Sequence, residues 1–345
     1  MRRSIAAVLM AALSFAQPAA AQTSSERQAV AEVQILLADV GRWSQEYLAV
    51  INQAVQPLSD IQSFVDILDR FTDGDIRASQ ARSEIEAWRS QSLSVIALAR
   101  VAAERLRPPP SLSILGPEGA DMDRALQAAR DNALPIVHEF ESVVNACAEL
   151  GLEAIRDTSK GFEARQRALL RAQMQLVRVD LGRIDLSVAA VAPTHPTHHV
   201  ARATQHYYAA LLAVPDYALQ ELDGGGDRDA LVASLRQSAE HMRASLAEAT
   251  STSEQIRERL RAQLGGPAVE VARTGLRVFE TYPASIRAYS GLADNIDRVA
   301  TAIERGDDVL MVWGDQEEWD MPFLNEIDRL DRVRADLLAN NAGAL

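Results

Sequence analysis

Apolar residues recur along this chain at alternating steps of three and four, the spacing of one face of a helix. Val30, Val33, Leu37, Val40, Ser44, Tyr47, Ile51 and Ala54 form the first stripe, behind a capping box of Ser25 and Gln28. Ala81, Ile85, Trp88, Ser92, Val95, Ala99, Ala102 and Leu106 form a second. Met122, Leu126, Ala129, Ala133, Ile136, Phe140, Val143, Cys147 and Leu150 form a third. Further runs occupy 162–191, 231–264 and 269–303, the last carried by Val269, Ala272, Leu276, Phe279, Ile286, Ala293, Ala300 and Ile303. A repeat near 3.5 residues keeps one seam turned toward a neighbouring helix over many turns. The pattern therefore predicts an all-α protein, with long antiparallel helices and coiled-coil-like packing in one or two helical bundles. No segment sustains the two-residue alternation of a strand.

The breaks between stripes follow turn chemistry. Pro57, with Ser59 and Gln62, predicts the start of a short second helix, and Asp73-Gly74-Asp75 predicts a turn. A proline-rich loop follows at 108–119, and later breaks fall at Pro193 and Pro196, at Asp223 to Asp227 and at Gly265-Gly266-Pro267. Pro135 and Pro283 lie inside continuing apolar registers, which predicts kinks rather than helix ends. Gln34, Asp39, Gly41 and Arg42 also match Gln175, Asp180, Gly182 and Arg183 at the same spacing. Each copy runs on through an Asp/Gly turn, a helix ending in Arg-Leu-Arg and a proline loop. Either an internal duplication or the generic likeness of heptad helices accounts for this. The division expected is a leader at 1–21, a first helical bundle at 22–160 and a second at 161–345 that ends in an acidic segment.

The leader sets the expected compartment. Arg2 and Arg3 precede an uncharged run from Ile5 to Phe15, and Ala19-Ala20-Ala21 supplies a small-residue cleavage site, as in a secretory signal peptide. The mature chain is expected to start at Gln22 and to be periplasmic or secreted. After cleavage it keeps no transmembrane segment and no cysteine at its start for a lipid. Its net charge is −13, or −15 without the two leader arginines, a sign that disfavours nucleic acid and anionic membranes as partners. Cys147 is the single cysteine, so no internal disulfide forms, and its place on the third stripe predicts a core residue.

Candidate chemistry is sparse. His195, His198, His199 and His206 gather four of the six histidines in twelve residues, and neutral imidazoles so close can share a transition metal. Pro196 interrupts the spacing, which leaves a solvated polar loop as the alternative. Tyr207 and Tyr208 make the same segment a candidate surface for a small ligand, but Tyr207 also falls on an inward stripe with Val200, Leu211 and Val214, which predicts core packing for it. His138 and Glu141 stand in the reverse order of a Glu-x-x-His di-iron motif, so a surface hydrogen bond or ion pair is expected there. Residues 307–345 hold ten acidic residues and three arginines around Trp313, Trp319 and Phe323. These aromatics either anchor a basic partner or fold back onto the bundle, with Arg167, Arg171 and Arg178 as the expected acceptor face. Neither aspartate-rich turn has the ligand pattern of a calcium loop, and no nucleophile elbow, phosphate loop or His-Glu-x-x-His is present. No cofactor is called for. The chain reads as a non-catalytic interaction or scaffold module with an envelope protein partner. The alternative is a periplasmic binder of a small ligand or transition metal at 195–208.

Overall fold

A computed structural model describes residues 24–112, 117–191, 193–262, 264 and 269–339. Among them are ten α-helices and no strand: α1 (Ser24–Ser59), α2 (Ile61–Thr72), α3 (Ala78–Glu104), α4 (Pro117–Arg156), α5 (Gly161–Ala190), α6 (Pro196–Leu222), α7 (Arg228–Ala262), α8 (Val269–Phe279), α9 (Tyr282–Glu304) and α10 (Val309–Ala339). The fold is all-α, and each helix packs on others. Among the described residues no helix is long and apolar enough to cross a membrane. The leader and Gly265-Gly266-Pro267 lie outside the described residues. So do the side chains of Ser25, Gln28, Val30, Val33, Leu37, Met122 and Val269.

Two buried cores organise the helices. The first collects Trp43, Tyr47, Ile51, Leu58, Phe64, Ile85, Trp88, Ile96, Phe140 and Cys147 from α1 to α4, and α5 adds Ala164, Ala168, Ala172 and Val179. The second is built from Tyr207 and Val214 of α6, Leu235 and Met242 of α7, Leu292, Ile296 and Val299 of α9, and Val312 and Ile327 of α10. α5 buries one face in the first core. The two cores are joined by direct packing of α5 on α6.

Several local expectations shift. Pro57 stays inside α1, and α2 starts at Ile61 behind Asp60, which accepts from the Ser63 hydroxyl at 2.9 Å. The Ser59/Gln62 box does not form, because Ser59 donates to the Val55 carbonyl and Gln62 to Asp66. Pro135 lies within α4 as expected. Pro283 does not kink a helix: it sits in the first turn of α9, after a break at Glu280–Thr281, where its missing N–H needs no partner. On α4, Val137 and Val144 take the fully buried places expected for Ile136 and Val143, which stay half-buried on the same side.

The Asp/Gly turns are helix ends, as the absence of a calcium pattern implied. Gly74 and Gly224 have φ of 82° and 77°, a region costly for side chains with a Cβ. The next residue's N–H then returns to the carbonyl of Arg70 or Gln220, at 2.8 and 2.9 Å. Asp227 accepts from the Ala230 N–H at the start of α7.

Candidate functional site

Two of the four clustered histidines build the corner between α5 and α6. His195 is the N-cap of α6: its Nδ1 accepts from the Thr197 N–H at 3.2 Å, and Pro196 beside it has no N–H to satisfy. The ring is buried edge-on to Phe279, and burial pulls its pKa down to about 4, so it works as a neutral acceptor. The Nδ1 of His198 stands 3.1 Å from the Val188 carbonyl and 2.9 Å from that of Val191. As a donor it closes the C-terminal end of α5.

The other two histidines face α7. His199 lies edge-on to His198 at 5.3 Å. Its pKa is lowered by burial, against a hydrogen bond to the Pro193 backbone, and it feels the charge of Glu248 on α7. His206 meets His241 of α7 with ring centroids 5.0 Å apart and planes tilted 53°. Burial lowers the His206 pKa, helped by His241 and Arg202, which keeps its ring uncharged at neutral pH. The cluster therefore splits into a structural pair and an α7-facing pair. Among the described residues no three His, Cys, Asp or Glu side chains gather as a metal site.

A second constellation was not foreseen. Asp320 of α10 is 2% exposed. Its Oδ2 accepts from the Tyr207 hydroxyl at 2.7 Å and from Gln316 Nε2 at 3.3 Å, and its Oδ1 accepts from Asn295 Nδ2 at 2.8 Å. Asn295 also donates to the Trp319 carbonyl at 2.9 Å. Burial raises the carboxyl pKa, and the three donors oppose it. With its lone pairs engaged by three helices, this group ties α10 to α6 and α9. Tyr207 is thus an inward residue, as its stripe with Val200, Leu211 and Val214 predicts.

The C-terminal aromatics follow the same docking. Trp313, Trp319 and Phe323 pack half-buried against the second core, and Ile327 and Leu330 are buried below them. The Arg298 guanidinium lies 3.7 Å above the Trp319 ring. The fold-back expectation therefore describes this segment, with a different acceptor: α10 packs on α6, α8 and α9, not on the α5 arginines. Arg167 instead pairs with Glu163 and Asp223 and donates to the Leu222 carbonyl, holding the end of α6. Farther along α10, Arg334 donates to Thr281 and Ser285 and stacks over Tyr282, whose hydroxyl is shared with Thr197 at 2.5 Å.

The remaining candidates resolve simply. Cys147 is buried, which pushes its thiol pKa up to about 12. Glu141 pairs with Arg100 at 3.7 Å, and His138 is exposed. That pair sits at one side of a surface groove of about 530 Å³ between α3 and α4, lined also by Glu86, Arg89, Leu93 and Ala97. On α3 beside it, Leu98 is 61% and Val101 40% exposed. No family model, characterised protein or solved structure matches the chain.

Proposed function

We propose that this chain is an exported, non-catalytic helical protein of the cell envelope that works as an interaction or scaffold module, its long helices antiparallel and packed in coiled-coil fashion. The observation that supports this most is the α3–α4 groove. Leu98 and Val101 stand one turn apart on the outer ridge of α3, where a soluble helix ordinarily carries polar residues. Leu93 and Ala97 continue the apolar strip into the groove, and Arg89, Arg100, Glu86 and Glu141 border it. An apolar strip with charges of both signs at its margins suits an amphipathic helix of a protein partner. Trp313, Trp319 and Phe323 are committed to the chain's own core, so they are not the anchors of this surface.

The reading is tested by placing a photo-crosslinking residue at Leu98, in cells exporting the full chain, with Glu258 on the exposed face of α7 as control. A discrete protein adduct from position 98, absent from 258 and lost on Val101→Glu, is the expected result. No adduct, or the same adducts from both positions, overturns it. Export is read separately. The mature N-terminus should be Gln22, and a full-length form starting at Met1 as the single species would contradict it.

A second reading, transition-metal binding by the His/Tyr segment, is favoured by one observation: His206 faces His241.

A further inference from the structure

We infer that His206 of α6 and His241 of α7 form a two-imidazole site for a divalent transition metal of the zinc, copper or nickel class. This rests on the metal-binding reading, and it replaces the sequence-adjacent ligands with a pair that bridges two helices. An ion bound to a ring nitrogen at 2.0–2.1 Å lies roughly 3.2 Å from the ring centre, so two imidazoles at a near-tetrahedral angle have centres about 5.2 Å apart. The observed separation is 5.0 Å, with the ring planes tilted by 53°, which matches that span. Imidazole favours zinc, copper and nickel, whereas calcium and magnesium prefer oxygen ligands.

The backbone under each ring is held by the core. Ala203, Tyr207 and Ala210 of α6, with Ala239 and Met242 of α7, are buried on either side, so the two histidines sit on the rim of a fixed seam. His199, which feels the charge of Glu248, lies farther along that seam. It is seven residues from His206, about 10.5 Å along a helix. One ion therefore takes two protein ligands, and water or an exogenous ligand completes its shell. The exposed Arg202 acts on both His199 and His206 and opposes a bound cation.

The test uses the full mature chain titrated calorimetrically with zinc, copper(II) or nickel chloride near neutral pH, and with calcium and magnesium chloride as references. One equivalent of each transition metal should bind, with no response to the references. His206→Gln and His241→Gln should each weaken binding by at least about tenfold. Arg202→Ala should strengthen it a few-fold, and His138→Gln should leave it unchanged. Because His241 is exposed, its replacement leaves the fold intact, and the copper complex of the wild type should show two imidazole nitrogens by electron paramagnetic resonance. Absence of uptake below about 1 mM metal, or undiminished uptake by His241→Gln, overturns the site. Crosslinking at Leu98 is independent of both outcomes.

Discussion

Where α1 to α5 meet, the largest side chains shut away from water are Trp43, Phe64 and Phe140, with Ile51, Leu58 and Ile85 between them. Where α6, α7, α9 and α10 meet, the same kind of aliphatic packing surrounds a buried carboxylate, Asp320, held by Tyr207, Asn295 and Gln316. Apolar contact has no direction, so the first core is specified mainly by shape and volume, with polar pairing at its edge from Trp43 to the Arg107 carbonyl and from Gln175 to Glu139. A hydrogen-bonded network pairs particular atoms and specifies position. That matters for α10, which meets α6 and α9 through Asp320. Asp320 ties its register, because displacement breaks its bonds from Tyr207 of α6 and Asn295 of α9, while the Gln316 bond lies within α10 and moves with it.

The largest effect expected from this contrast comes from deleting residues 307–345. The cut removes Gln316, Trp319, Asp320, Phe323, Ile327 and Leu330 together. Each large side chain is worth roughly 1.5–3 kcal/mol when buried, so several of them rival the ~5–15 kcal/mol that holds a typical domain together. Calorimetry should show the transition of the second core lost and that of the first retained. An unchanged melting profile would mean that α10 is an appendage.

Single substitutions sharpen the comparison. Asp320→Leu fills space of similar size but removes the shared acceptor of the Tyr207, Asn295 and Gln316 hydrogen bonds, at an expected cost of about 3–5 kcal/mol in urea unfolding. Phe140→Leu, in the first core, keeps the site apolar and should cost about 1–2 kcal/mol. Equal costs would erase the distinction between a core set by volume and one set by polar pairing.

Acid separates the two regions as well. His195 has a folded pKa of about 4 against roughly 6.5 when unfolded, so between those values the unfolded chain binds more protons and stability falls as pH falls. Its contribution is complete above about pH 6.5 and declines by about 3 kcal/mol down to about pH 4. His199 and His206 shift in the same direction, whereas Asp320, with its pKa raised by burial, shifts the other way and offsets part of the loss. His195→Asn keeps a capping side chain without the titration, and it should flatten the slope of stability against pH between 6.5 and 4. A slope unchanged in that variant would assign the acid sensitivity elsewhere.

How legible these features were depends on which residues carried the periodic signal. Three-four spacing located α1, α3, α4, α7 and α9 because their inner faces are apolar, and it put Cys147 in the core. It misplaced Pro283, since an apolar register continues on both sides of the break. Asp320 escaped because Asp315, Glu317 and Glu318 precede it and make the stretch read as solvated. The clue was present in the spacing all the same. Gln316, Asp320, Phe323, Ile327 and Leu330 step by four, three, four and three, so two polar residues lie on an inward stripe. The pairing of His206 with His241 lies between helices and depends on how α6 and α7 align, which local spacing does not encode.

The smallest test concerns two helical glycines, one in each core. Alanine in place of either gains roughly 0.5–1 kcal/mol of helix propensity, so the sign of the outcome depends on the space available. At Gly151 of α4, a Cβ would meet the end of Ile85 at 2.8 Å and the Phe64 ring at 3.0 Å. The Ile85 Cδ1 is a flexible chain end that can yield, and Gly151→Ala should stay within about 1 kcal/mol of the parent. At Gly291 of α9, a Cβ would overlap the Phe323 ring, which is kept from moving outward while Asp320 holds α10 one turn away. Gly291→Ala should therefore cost about 1–2 kcal/mol net and lower the melting temperature of the second core by about 2–8 °C. Pairing Gly291→Ala with Asp320→Leu tests the cause. If the network is what pins the ring, the two costs add to less than their sum, because a released α10 can accommodate the methyl group. Full additivity would leave Phe323 held by packing alone, and the polar network would then fix the register of α10 without fixing its distance from α9.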